Sequence, residues 1–118
     1  MLHSTDRILY VGTEDGLYLA EPDGKEYKSR PLALQGKGVL RSPVQIDRDN
    51  PRRIYAATSR CGMQRSEDGG QSWREINNGI LYKEAWCVVQ HPQSAELFVG
   101  TGPSSVFKSE DGGESWVD

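Results

Sequence analysis

Two carboxylates sit in nearly identical surroundings in this sequence: Asp68 within SEDGGQSW, Ser66 to Trp73, and Asp111 within SEDGGESW, Ser109 to Trp116. An acid flanked by hydroxyls and paired glycines has the donor chemistry of a cation loop, and two such acids could also act as a general acid and base. The spacing argues against both. A helix-loop-helix calcium site needs oxygen ligands at alternating positions through a loop of about 12 residues closed by a glutamate, and the pattern here stops after the aspartate. The copies lie 43 residues apart, which assigns them to two structural units rather than one pocket.

The other chemistry-bearing residues are dispersed. Cys61 and Cys87 read as free thiols, and His3 and His91 stand alone, so no metal and no cofactor is expected. Fourteen Lys and Arg against seventeen Asp and Glu give a net charge of -3, spread without a basic stripe, so neither nucleic acid nor a membrane is an expected partner. No stretch approaches the ~20 apolar residues of a membrane span, and MLHSTDRILYVGTEDG lacks the pattern of a signal peptide. The expected location is cytoplasmic.

A local turn is what must position the acids. The Asp68 carboxylate can accept hydrogen bonds from the N–H groups that follow it, Gly69 and Gly70 can take positive φ without a Cβ penalty, and Ser66 can add a bond of the same sort. Trp73 can then fold its indole over the turn, a burial worth about 1.5 to 3 kcal/mol for its size class. Ser109, Asp111, Gly113 and Trp116 are expected to play the same parts 43 residues on. Ser66, Asp68, Gly70 and Trp73, with their four counterparts, are therefore read as structural and not catalytic.

The 43-residue shift extends beyond the octapeptide, carrying RIYAAT, Arg53 to Thr58, onto ELFVGT, Glu96 to Thr101. An earlier relative, Ile8 to Ser29, aligns when Thr13 is set on Thr58 and Gly16 on Gly62. Runs of β-branched and aromatic residues bounded by Gly, Pro and Asp give four strands per period: Pro43 to Asp47, Ile54 to Thr58, Gly62 to Ser66 and Gln71 to Ile76. The third unit repeats them at Trp86 to Gln90, Leu97 to Thr101, Ser105 to Ser109 and Glu114 onward, and the first opens at Ile8 to Thr13. No helix is supported. An all-β chain of four-stranded units at this period predicts β-propeller blades, about 2.5 to 3 of them in an incomplete ring. The whole chain, 1–118, is then one partial propeller domain, with blades at about 8–32, 39–77 and 85–118.

SEDGGQSW and SEDGGESW resemble the Asp-box of BNR repeats, Ser-x-Asp-x-Gly-x-x-Trp, and the units resemble BNR-like β-propellers, which include sialidase-like, VPS10-like and uncharacterised glycosyl hydrolase-like proteins. The first unit departs from the motif, with Ala20, Pro22, Gly24 and Tyr27 in place of Ser, Asp, Gly and Trp. In this family the box lies at the periphery, away from the axial cavity. Sialidases also carry an Arg-Ile-Pro segment that is absent here; Arg30-Pro31 and Arg41-Ser42-Pro43 are fragments of it.

In a propeller, the loops after each second strand and the links between blades reach one end of the channel. Arg60, Lys37, Tyr82 and Trp86 on these segments are the candidate ligand contacts, suited to a glycan or a peptide. The expected function is a non-catalytic scaffold displaying loops for ligand or protein binding; the alternative is the N-terminal part of a BNR-type glycoside hydrolase, a sialidase-like exo-glycosidase. Since about 4 to 8 blades close a ring, the expected partners are the rest of the propeller, on a longer chain or through self-association.

Overall fold

IYAAT, Ile54–Thr58, explains the architecture best because every one of its five residues is buried. An amphipathic strand has one wet face; burial of both faces requires a sheet on either side. The computed structural model, which describes residues 8–39 and 44–118, supplies both sheets. Pro43, where an inner strand was expected to begin, lies outside the described residues, as do Arg41, Ser42 and His3.

Three antiparallel sheets follow one another along the chain, and they form no closed ring. The first contains β1 (Leu9–Thr13), β2 (Gly16–Asp23) and β3 (Glu26–Ala33) in that order. The second contains β4 (Val44–Ile46), β5 (Ile54–Thr58), β6 (Gly62–Ser66) and β7 (Arg74–Glu75). The third contains β8 (Glu84–Gln90), β9 (Leu97–Gly102) and β10 (Ser105–Ser109), with β9 between the other two. The chain is all-β, and no helix occurs among the described residues. Cys61 and Cys87 are not joined to each other.

Two apolar clusters fill the gaps between sheets. Leu17, Ala33, Leu34 and Val39 meet Ala56 of β5, with Tyr10 and Trp73 packed at the margin. On the other side of the same sheet, Tyr55, Ala57 and Met63 meet Val88, Leu97, Val99 and Phe107. Consecutive side chains of a strand point to opposite faces, so Ala56 and Ala57 serve different clusters. Their small size lets sheets close on both sides.

The outer strands are shorter than the sequence suggested. Gln71 to Ile76 contributes only Arg74–Glu75 to the ladder, with one further bond from Ile76 N to Met63 O at 3.0 Å. From Glu114 onward there is a single bridge, Lys108 to Val117. The cause is local: the backbone of the segment after each aspartate donates to the carboxylate, as Ser72 N does to Asp68 and Ser115 N to Asp111. Those N–H groups are lost to the sheet. In the first unit, where proline replaces the aspartate, β2 and β3 pair down to Asp23 and Glu26 and turn tightly at Gly24, φ 65°.

Gly79 links the second sheet to the third and shows how closely they approach. It has φ 98°, and a Cβ built there would lie 2.1 Å from the backbone oxygen of Trp116. Gly69 has φ 74° with open space around it. Gly79→Ala is expected to cost about 1 to 3 kcal/mol more than Gly69→Ala, since both bear the left-handed backbone penalty but only the first overpacks an interface. Urea unfolding of the two variants checks this, with equal losses as the contrary outcome.

Candidate functional site

Ser66 and Asp68 build the turn from its smallest parts. The Ser66 hydroxyl donates to Asp68 Oδ1 at 2.8 Å and accepts from the N–H groups of Asp68 at 3.2 Å and Gly70 at 2.8 Å. Asp68 Oδ1 also accepts from Gln71 N at 3.1 Å and Ser72 N at 2.9 Å, while Oδ2 accepts from the Ser72 hydroxyl at 2.5 Å. The second copy repeats the pattern: Ser109 donates to Asp111 and accepts from Gly113 N, and Ser115 supplies both its N–H and its hydroxyl.

These donors have an electrostatic consequence. The Ser72 hydroxyl, then its N–H, then Ser66 hold the Asp68 carboxyl well below the usual carboxylate range. Ser115, followed by Ser109, lowers Asp111 to about 2. An acid this strong carries no proton to donate near neutrality. Its oxygens are occupied by the turn itself, and among the described residues no group of three His, Cys, Asp or Glu side chains is arranged to hold a metal ion.

Each turn also touches the preceding sheet, through contacts the sequence reading missed. The Tyr10 hydroxyl donates to the Gly69 carbonyl at 3.2 Å. One junction later Arg65 Nη1 donates to the Gly112 carbonyl at 2.6 Å. Arg65 Nη2 pairs with Glu114 at 2.6 Å, and its Nε lies 2.8 Å from Glu67, out of line for a hydrogen bond. Arg74 shares the same Glu114 oxygen, and Arg74 first and Arg65 second lower the Glu114 pKa. The two tryptophans differ. Trp73 Nε1 donates within its own turn, to Gly70 O at 2.7 Å, whereas the buried Trp116 reaches across the junction to Ile76 O at 2.8 Å. The available signal was the aromatic repeated at one strand position, Tyr10, Tyr55 and Phe98.

At the other end of the sheets, the four candidate ligand residues occupy three settings. Lys37 and Arg60 share a loop cluster in which Arg60 N donates to Lys37 O at 3.1 Å and Ser59 N to Gly38 O at 2.7 Å. The Arg60 guanidinium donates to the carbonyls of Gly36 at 2.9 Å and Glu14 at 3.5 Å, so it ties the first two units together. Tyr82 is half-buried and meets Phe107 edge-on, with ring centroids 6.3 Å apart. Trp86 sits at a bulge in β8, where its indole and the Glu84 carboxylate border Gly102. A wedge of about 460 Å³ opens between the first sheet and the first octapeptide turn, lined by Tyr10, Leu19, Glu21, Arg30 and Gln71 among others.

The sequence matches no protein-family model and no curated protein. In structure, the chain is similar to the GH74 xyloglucanase from Xanthomonas campestris, with a TM-score of 0.60 at 20% sequence identity over 93% of this chain. The match covers 21% of that protein, so this chain spans about a fifth of the length of the structure it resembles. The likeness shows the fold, that of part of a β-propeller.

Two measurements test the turn chemistry. Ser66→Ala leaves the buried Gly70 N–H without an acceptor and is expected to cost about 1 to 3 kcal/mol in denaturant unfolding. Both aspartates have folded-state pKa values below their unfolded value of about 4, so their stabilisation is complete above about pH 5 and is lost as pH falls through 4 toward 2. In the Asp68→Asn, Asp111→Asn double variant, Tm near neutrality should drop and its further fall between pH 5 and 2.5 should shrink. An acid limb as steep as that of the parent protein would contradict the assignment.

Proposed function

We propose that these sheets are scaffold blades of a glycosidase-type propeller, in which the turns hold blade to blade and the loops of the opposite end face a glycan. The likeness to a xyloglucanase over 93% of the chain carries this reading. It favours the glycoside-hydrolase alternative over a scaffold of unrelated purpose, and it favours a polysaccharide of the xyloglucan kind over a sialoside. The Asp-box assignment fits the same picture, because Asp68 and Asp111 have their oxygens committed to turn donors. The catalytic carboxylates would belong to other blades.

Within the loop end, we assign the half-buried Lys37 to a sugar hydroxyl, and Arg60 ties down the loop that carries it. Tyr82 adds a partly exposed ring in the link between the second and third sheets. Electrophoresis of the 118-residue chain through gels with and without xyloglucan tests the reading. The expected result is retardation by the polysaccharide, reduced by Lys37→Ala, with no release of reducing ends and no cleavage of a fluorogenic sialoside. Equal mobility in both gels would count against glycan binding, and hydrolysis by this chain would overturn its scaffold role.

A further inference from the structure

The two junctions between sheets are built on one set of positions, and at the first of them a guanidinium is missing. On β6, Arg65 stands between Tyr55 of β5 and Arg74 of β7. On β2, Leu19 stands in the same way between Tyr10 of β1 and Arg30 of β3. Leu19 therefore holds the place of Arg65, and Glu21, two residues further on, holds that of Glu67. Across each junction, the shift of 43 sets Gly69 on Gly112 and Gln71 on Glu114.

At the second junction the Arg65 guanidinium fills the space, with Nη1 on the Gly112 carbonyl at 2.6 Å, Nη2 on Glu114 at 2.6 Å and Nε 2.8 Å from Glu67. At the first, the shorter Leu19 leaves that space open, and among the described residues it is the wedge of about 460 Å³. The wedge is lined by the counterparts of the residues around Arg65: Tyr10, Glu21, Arg30, Gly69 and Gln71. The Gly69 carbonyl accepts from the Tyr10 hydroxyl at 3.2 Å and has a second lone pair. Glu21 and Arg30 are half-exposed and 3.7 Å apart, beyond hydrogen-bond distance, so the carboxylate keeps acceptor capacity. Ile8, Leu19 and Leu32 add apolar walls.

We propose that the wedge binds an alkylguanidinium group, the head of an arginine side chain or of a free guanidino compound, in the place that Arg65 fills at the second junction. The planar head carries its N–H donors in a fixed fork, which suits one edge to the Gly69 carbonyl and another to Glu21. The side-chain amide oxygen of Gln71 accepts where Glu114 does, without the charge. The alkyl stem lies along Leu19 and Leu32. A second cation beside the ligand is compatible with such a site, because Arg65 and Arg74 share one Glu114 oxygen at 2.6 Å each. With Gln71 neutral, one carboxylate serves the ligand and Arg30 together, so binding is weak, in the millimolar range. The wedge lies at the opposite end of the sheets from Lys37 and Arg60, and the inference goes beyond the glycan reading without depending on it.

Titration of the isotope-labelled 118-residue chain, followed by amide NMR shifts, tests the site. The probes are butylguanidinium, an end-blocked Gly-Arg-Gly peptide and, as the control cation, pentylammonium. Saturable shifts of the Gly69 and Gly70 amides are expected with butylguanidinium and with the peptide, while pentylammonium binds at least about fivefold more weakly. The Gly112 and Gly113 amides, at the filled junction, should stay in place. Leu19→Arg should abolish binding by putting its own guanidinium in the wedge. Glu21 and Gln71 are exposed, so their variants report on the site without disturbing the core. Glu21→Gln should weaken butylguanidinium binding about fivefold, and Gln71→Glu should tighten it by about as much. No saturable shift with either guanidino probe, equal binding of pentylammonium, or an affinity unchanged in both Glu21→Gln and Gln71→Glu would each overturn the proposal.

Discussion

Each glycine-rich turn gives a backbone carbonyl to the sheet before it, and the stacking of the molecule depends on that contact. Gly69 O accepts from Tyr10, and Gly112 O accepts from Arg65. A carbonyl can be offered sideways only if the turn is rigid, and its rigidity comes from the Ser-Asp pairs that occupy the turn's own N–H groups. The hydrogen bonds within the turn thus determine what can form between sheets. Loss of the inner set would release the outer set as well.

Packing reinforces the same dependence. Alanines at 56 and 57 keep the middle of β5 small on both faces, while the buried Tyr55 fills the junction with the third sheet, and the neighbouring sheets approach closely enough for the turns to reach across. The two junctions are nonetheless built differently. Arg65, Glu67, Arg74 and Glu114 form an ionic network at the second, whereas Leu19, Glu21 and Arg30 line an open wedge at the first. Pro22 stands where the aspartate stands in the other units, so the first sheet makes an ordinary hairpin there.

The sheet order was readable because it rests on local signals that repeat: β-branched runs for β5 and β9, and turn residues at fixed offsets. The length of the outer strands was not. Gln71 to Ile76 has the look of a strand, but whether its N–H groups go to a ladder or to Asp68 depends on a competition between two acceptors that residue type alone does not decide. The junction contacts were hidden for a related reason. Arg65 and Glu114 are 49 positions apart, and only the stacking of sheets brings them together. At the loop end, Arg60 read as a ligand contact because it is a cation in a loop; the structure engages its guanidinium with two carbonyls of the neighbouring unit.

Native-state hydrogen exchange at Gly70 and Gly113 tests most directly whether the turns belong to the stack. Both amides donate to buried serine hydroxyls in turns that otherwise lie at the surface. If the turns and the sheet junctions open together, these amides exchange as slowly as Ala56 in the central strand β5. Exchange as fast as that of an exposed hairpin residue such as Gly24 would show that the turns open alone, and would contradict the dependence of the stack on them.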